Sequence, residues 1–383
     1  MDTKTCKELI VICKEKNIRG YSGKRKDQLL KLLSQSSMTI NVVVLPVVLP
    51  AVLPVVHQDN KLRMIDLCAG TGAFSLAFEK TDKVECVFAN DIVIWSKTIY
   101  DENFNHKLTL GDIINIKSMD VPSHDILTAG FSCQPWSIAG KQLGFQDERS
   151  NVFWKILEII DHHKPPYVIF ENVKNIISHD GGKTFEIIKK NITDRGYFIK
   201  YKVLNTAEIT GIPHHRERIY IVCIKSKEIF DRMTLDWDKK EKVSITSLLE
   251  NDIPDKYYYT DKSTTWDLVK ASVIKKDTIY QYRRVYVREN KSGECPTLTA
   301  NMGAGGHNVP LILDNKGIRK LTPRECFNFQ GFPSTYKLPD LSDSNLYKLV
   351  GNAVSVPVVQ LIADRLIGLI IPNVTHVPTD NIL

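Results

Sequence analysis

The stretch from Leu62 to Phe74 most narrows what this chain can fold into. A short apolar run, Leu62 to Leu67, leads through Cys68-Ala69-Gly70-Thr71-Gly72 into a helical pattern carried by Phe74, Leu76, Ala77 and Glu79. Strand, glycine turn and helix in that order predict the first unit of an open α/β sheet, with backbone N–H groups able to approach a ligand closely. Alone, a glycine pair is equally a tight structural turn. A second strand, Val84 to Ala89, follows and ends at Asn90-Asp91; Asp91 stands 21 residues after Gly70. That is close to the ~20-residue offset at which an acidic side chain meets ribose hydroxyls in nucleotide-binding sheets. A helix over 92–104 and then Gly111-Asp112-Ile113 bring another carboxylate to the same edge. The spacing implies an adenosine-bearing cofactor.

A third apolar run, Asp125 to Ala129, reads as a buried parallel strand, and Gly130-Phe131-Ser132-Cys133-Gln134-Pro135-Trp136-Ser137 as the loop at its C-terminal end. Open α/β sheets hold their ligands there, so Cys133 is expected to face a cleft. Pro135 biases Gln134 towards an extended conformation. The segment continues to a helix starting near Asn151, long enough to close as a lid. Pro165-Pro166 opens a strand, Tyr167 to Phe170, with Glu171-Asn172-Val173 at its end. Glu171 is expected beside the preceding strand if consecutive parallel strands neighbour one another, a helix-capping role being the plainer alternative. After a strand from Gly196 to Leu204, His214-His215-Arg216-Glu217-Arg218 precedes Ile219 to Ile224. Arg216 and Arg218, two apart on an extended segment, should point to one face and reach one cleft. The paired histidines lack the carboxylate or cysteine cluster a metal site would need.

With 383 residues, 43% hydrophobic and 25% charged, the chain has room for more than one domain, and its formal charge of +7 suits a polyanionic partner. Eight cysteines without a C-x-x-C pair argue against a structural zinc site or a disulfide framework, which points to a reducing compartment. The N-terminus lacks an apolar signal sequence, so the protein is expected in the cytoplasm, or in the nucleus or a viral factory, and not secreted. The apolar tract from Val42 to Val56 is too short for a membrane span and is broken by Pro46, Pro50 and Pro54.

Residues 1–35 read as two short helices about Gly20-Tyr21-Ser22-Gly23, with nine Lys/Arg against four Asp/Glu by residue 33. The run from Leu9 to Lys26 resembles a SAP-type DNA-binding module, which would put Lys24 and Lys26 on DNA; a solvated basic hairpin is the alternative. Residues 36–60, with proline at every fourth position over part of their length, predict an extended linker.

Gly130 to Ser137 followed by Ile138-Ala139-Gly140-Lys141-Gln142, Glu171-Asn172-Val173, Arg216-Glu217-Arg218, Gln330-Gly331-Phe332-Pro333 and Gly351-Asn352-Ala353-Val354 occur in the order found in the DNA (cytosine-5) methyltransferases. The sequence resembles that family from Leu62 to about Ile371. The resemblance implies an α/β, Rossmann-like doubly wound catalytic domain over 61–224, completed by 319–375, with a smaller, loop-rich target-recognition domain over 225–318. It implies S-adenosylmethionine as cofactor, held by Asp66, Cys68, Gly70, Thr71, Gly72, Phe74, Asp91, Asp112 and Asn352. Catalysis is expected from Cys133, Glu171, Arg216 and Arg218, and DNA contacts from Gln134, Arg283, Arg284, Thr297 and Leu298. Double-stranded DNA is the expected substrate, a monomer the expected state, and a cognate restriction endonuclease an admissible partner.

Cytosine C5 is a poor nucleophile until a thiolate adds at C6, so this chemistry needs Cys133, a proton donor at N3, a cation at O2 and a flipped base, but no metal. Four departures stand out: Cys68 for phenylalanine, Ala73 for glycine, Ser132 for proline and His214 for glutamine. Those at Cys68 and Ala73 are expected to alter cofactor affinity rather than abolish binding. Two other functions fit less of the sequence: an RNA (tRNA) methyltransferase of the same fold, and a catalytically silent DNA-binding module.

Overall fold

A computed structural model describes Thr5, Leu9 and residues 25–30, 61–131, 151–304 and 308–371. Residues 1–51 group as one compact unit and 52–383 as another. In the first, Leu9 and Leu29 are buried and residues 26–30 are helical. Lys26 is exposed there; Lys24 and the whole of the linker, 36–60, fall outside the described residues.

In the second unit, apolar alternation builds a seven-stranded sheet. Its strands are β1 (Leu62–Leu67), β2 (Val84–Asp91), β3 (Thr109–Leu110), β4 (Ile126–Ala129), β5 (Tyr167–Val173), β6 (Phe198–Asn205) and β8 (Glu217–Ile224), in the order β3-β2-β1-β4-β5-β8-β6. β3 through β5 run parallel, as the strand–helix alternation requires, whereas β8 lies antiparallel between β5 and β6. Successive side chains feed opposite cores: Met64 and Ile126 pack on one face, Ile65 and Leu127 on the other. Helices α1 (Ala73–Glu79) and α2 (Ile94–Asn103) supply Phe78, Ile99 and Tyr100 to the first face, while α3 (Asn151–His163) and α4 (Lys183–Thr193) supply Phe153, Ile156, Phe185 and Ile188 to the second. The chain leaves β1 towards β2 on one side and reaches β4 on the other, so a crevice opens at the carboxyl ends of β1 and β4.

The interval after β8 contains helix α5 (Trp266–Ser272) and the short strands β9 (Tyr280–Tyr282), β10 (Val287–Glu289), β12 (Pro310–Leu313) and β13 (Ile318–Lys320). They form a separate sheet, β10-β9-β12-β13, over a small core of Val269, Val273, Tyr280, Leu311 and Ile318. Its last strand crosses the boundary expected at 318. Two further two-residue strands, β7 (His214–His215) and β11 (Cys295–Pro296), pair in parallel and bring this interval back to the main sheet.

Helix α6 (Pro323–Phe329) starts as its sequence predicts: Thr322 and Glu325 form a reciprocal capping box, with Pro323 in the first turn. Buried Arg319 donates to both Glu325 oxygens (2.7 and 2.8 Å) and to Asp314 (2.6 Å), tying the small sheet to this helix. Helices α7 (Asp343–Asn352) and α8 (Val356–Ile370) close the fold. The stretch Asp343–Ile370 is long and apolar enough to cross a membrane by length and composition. Here, however, Val358, Val359, Ile362, Ala363 and Leu366 are buried in the core and α8 packs on α1.

Candidate active site

The glycine turn sits where β1 meets the crevice. Cys68, Gly70 and Gly72 have φ of 55°, 55° and 71°. Glycine tolerates that left-handed region freely, whereas at Cys68 it is a strained position held by its surroundings. Gly70 N–H donates to Asp91 Oδ2 (2.9 Å), and Asp91 Oδ1 accepts from Val93 N–H (2.8 Å). The carboxylate expected on ribose thus also braces the turn. Space above Gly70 is open, whereas a Cβ on Gly72 would lie 2.4 Å from the Phe104 ring. Gly72 is therefore required by packing rather than by a ligand.

The nine expected cofactor residues divide by depth. Cys68, Gly70, Asp91 and Asp112 border the open edge, Asp112 also accepting from Ile114 N–H (3.1 Å). Asn352 is exposed at the end of α7. Asp66 and Phe74 are buried, which corrects the expectation that all nine touch a ligand, and Thr71 is buried beside them. Asp66 accepts from Ser75 Oγ (2.8 Å) and Thr128 Oγ1 (3.0 Å), and burial pushes its carboxyl up to about 7. Phe74 is core. Thr71 O accepts from Tyr336 Oη (2.7 Å), while Thr71 Oγ1 is buried with no hydrogen-bond partner among the described residues.

The helix after β2 begins at Ile94 rather than Ile92, leaving Ile92 64% exposed beside Asp91. An apolar side chain left in solvent at a ligand edge is a signal the helical pattern concealed.

At the end of β4, Asn172 Nδ2 donates to Phe131 O (3.1 Å), which fixes the start of the loop carrying the cysteine. Cys133 and Gln134 lie outside the described residues. A Cβ placed on Gly130 would be 3.9 Å from Glu171 Oε2, so that carboxyl stands where the loop departs. Glu171 lies in β5, parallel to β4 as expected, and is buried; burial raises its carboxyl above the ordinary range, against the pull of Arg218 and then Arg216. Arg218 Nε lies 3.2 Å from Glu171 Oε1, and its Nη1 donates to Glu217 O (2.8 Å).

Arg216 does not share that position. It is only 2% exposed, and its guanidinium donates to Leu298 O (3.0 Å) and Ala353 O (2.7 Å), with Gly351 O at 3.5 Å. The expectation that both arginines open onto one cleft is corrected: Arg216 joins the small-sheet interval to the end of α7. His214 is built into the same joint, with Nδ1–H donating to Phe329 O (3.1 Å) and Nε2 accepting from Leu298 N–H (3.2 Å). Burial holds the imidazole neutral, well below its ordinary value. This accounts for a histidine where a glutamine was expected, since either side chain offers one donor and one acceptor.

Among the expected DNA contacts, Arg283 and Arg284 are exposed at the tip between β9 and β10, and Thr297 is half-buried with its hydroxyl donating to His215 O (2.5 Å). Leu298 is 1% exposed; its side chain belongs to the core and only its backbone is used, as above.

The sheet order, the glycine turn and a buried carboxyl–guanidinium pair beside the β4 loop define a Rossmann-like group-transfer enzyme. The sequence pattern described as C-5 cytosine-specific DNA methylase matches residues 62–368, and the chain belongs to that family: it is a DNA (cytosine-5) methyltransferase. It is 45% identical over 309 residues to the Type II methyltransferase M.Bsp6I of Bacillus sp. (strain RFL6), covering 80% of this chain and 98% of that one. With the Type II methyltransferase M.HhaI of Haemophilus parahaemolyticus it shares 36% over 313 residues, 79% and 93% of the two chains. Among solved structures, the Entamoeba histolytica methyltransferase EhMeth superposes with a TM-score of 0.65 at 17% identity, covering 82% of this chain and 99% of that one. S. pombe Dnmt2 methyltransferase gives 0.63 at 21%, covering 81% and 99%. At those identities the structures speak for the fold alone.

Proposed function

We propose that this enzyme methylates C5 of a cytosine within a specific double-stranded DNA site, using Cys133 as nucleophile, Glu171 as proton donor and Arg218 as the cation at the ring oxygen. The observation that carries this reading is the pair Glu171–Arg218, 3.2 Å apart and beside the backbone from which the cysteine loop leaves. A carboxyl whose hold on a proton is strengthened by burial suits the transfer of a proton to N3 as the Cys133 thiolate adds at C6. Arg218 remains charged and, with two nitrogens engaged, has further N–H donors for O2. The adduct makes C5 an enamine carbon. Once C5 has taken up the methyl group, loss of its proton to water, return of the N3 proton to Glu171 and expulsion of the thiolate restore the aromatic ring. The cytosine must leave the duplex to meet these groups, and Gln134 stands next to the nucleophile.

The residues at the crevice fit S-adenosylmethionine. Thr71 Oγ1 is an orphaned buried polar atom in the turn, the space above Gly70 is open, and exposed Ile92 and Ile114 stand beside Asp91 and Asp112 at the same edge. A hydroxyl, two carboxylates and apolar side chains suit a ribose and an adenine ring. Gly70, Cys68, Asp91, Asp112 and Asn352 would hold it; when bound it supplies an electrophilic methyl group.

Transfer of labelled methyl to duplex DNA, with tRNA as competitor, tests the assignment. Wild type should label the duplex and form a stable adduct on a 5-fluorocytosine duplex, and Cys133→Ser should do neither. Labelling of tRNA alone, or labelled duplex with Cys133→Ser, would overturn it.

A further inference from the structure

Beneath the glycine turn a line of hydrogen bonds runs from the buried end of β1 towards the surface. Ser75 Oγ is 2.8 Å from Asp66 Oδ2 and 2.8 Å from Tyr100 Oη, and Tyr100 Oη is 2.5 Å from His106 Nε2. Asp66, Ser75 and Tyr100 are fully buried, whereas the His106 side chain is 20% exposed and its other ring nitrogen lies 3.6 Å from Glu79 Oε1. Asp66 also receives Ser75 N–H (3.3 Å), so this one carboxyl closes the turn between the end of β1 and the first turn of α1.

Each hydroxyl has a single proton to donate, so when one ionising proton is held between Asp66 and His106 there are two fully bonded arrangements. With imidazolium at His106, Nε2–H donates to Tyr100, Tyr100 to Ser75, and Ser75 to ionised Asp66. With neutral His106, all three bonds reverse, and a protonated Asp66 donates to Ser75, Ser75 to Tyr100 and Tyr100 to Nε2. The number of protons is the same in both; one O–H or N–H bond breaks at each link as the next forms.

We propose that Asp66 and His106 share one proton through Ser75 and Tyr100, which makes His106 a positioning residue for the cofactor turn. The surroundings bear on both ends. At the inner end lie Thr128 Oγ1, the Asp91 charge and Cys86, whose Sγ is 3.6 Å from both Ser75 Oγ and Tyr100 Oη and whose thiol burial pushes up to about 12. At the outer end burial opposes the imidazolium, as does Lys107, while Asp101 favours it and Glu79 Oε1 faces Nδ1. When Asp66 ionises, its carboxylate can only accept; when it is protonated, it donates to Ser75. The hold on the turn therefore follows the proton. The shared proton does not depend on the assigned reaction, whereas the positioning role rests on the proposed cofactor.

The test is the titration of His106 in the ligand-free enzyme, followed by nitrogen-15 NMR of labelled histidine and assigned by the signal lost in His106→Gln. Asp66→Asn should lower the His106 midpoint by half a pH unit or more, about a threefold loss of proton affinity. In a Tyr100→Phe background the same substitution should leave the midpoint in place. An unchanged midpoint in the first case, or an equal shift in the second, would overturn the shared proton. Circular dichroism checks folding, and Ser75→Ala replaces Tyr100→Phe if that variant does not fold. KM for S-adenosylmethionine should bend with pH at the His106 midpoint and lose the bend in His106→Gln; a bend that persists would overturn the positioning role.

Discussion

Asn172 Nδ2 holds the carbonyl of Phe131 at 3.1 Å, so the backbone two residues before Cys133 is fixed by a side chain from the neighbouring strand, next to the proposed proton donor. Phe131 and Asn172 are both buried, and the bond is shielded from water. Asn172→Ala removes a buried hydrogen bond to that carbonyl, at a cost of about 1–3 kcal/mol. If that cost falls on the reactive geometry, kcat drops by about 5- to 150-fold. Single-turnover methyl transfer measures this; a rate within twofold of wild type would show that the tether does not set the loop.

The raised carboxyl of Glu171 gives catalysis a pH direction. Burial favours its protonated form, so the donor is depleted as pH climbs through the raised value, and the single-turnover rate should have a descending limb there. Stability changes in the same sense. The group's contribution is whole below the ordinary carboxylate value and is lost as pH rises through the folded one. Glu171→Gln cannot release a proton and should lower the rate by about 100-fold or more while abolishing that limb.

Arg216 and Arg218 should separate by experiment. Arg218→Ala is expected to reduce kcat with a small change in unfolding midpoint. Arg216→Ala leaves the carbonyl of Leu298 unpaired and takes one of two donors from Ala353 O, where Gln330 Nε2 remains at 3.1 Å, and should cost about 1–3 kcal/mol of stability. Denaturant unfolding of both variants beside their methyl-transfer rates checks the distinction.

Gly351→Ala tests the same joint without touching a charge. A Cβ there would lie 2.3 Å from Thr299 C and 2.5 Å from Ala300 N, both backbone atoms unable to swing aside. Overpacking of this kind costs about 1–3 kcal/mol. The unfolding midpoint should fall, and a variant as stable as wild type would mean the two segments part easily.

Arg283→Ala and Arg284→Ala should weaken binding to duplex DNA and each reduce the salt dependence of log K by about one unit if its guanidinium neutralises a phosphate. A fall in specificity with an unchanged salt slope would mean base contacts instead.

What could be read in advance was whatever depends on neighbours in the chain. The β1 turn and the strand ending at Asp91 are local: φ preference and apolar alternation settle them within a few residues. The helix after Asp91 was misjudged by two residues because its apolar pattern continues through Ile92 and Val93, which solvent rather than core receives.

The sequence by itself determined the parts and their order, since strand, glycine turn and motif spacing are properties of short segments. Only the tertiary structure decided their duties. Arg216 and Arg218 alternate identically along the chain, yet one meets the carbonyls of Leu298 and Ala353 and the other Glu171. Likewise Leu298, which the motif made a DNA contact, became core when β11 paired with β7. Partners separated by more than 80 residues are brought together by folding, and no local pattern encodes which of two equivalent side chains will find them.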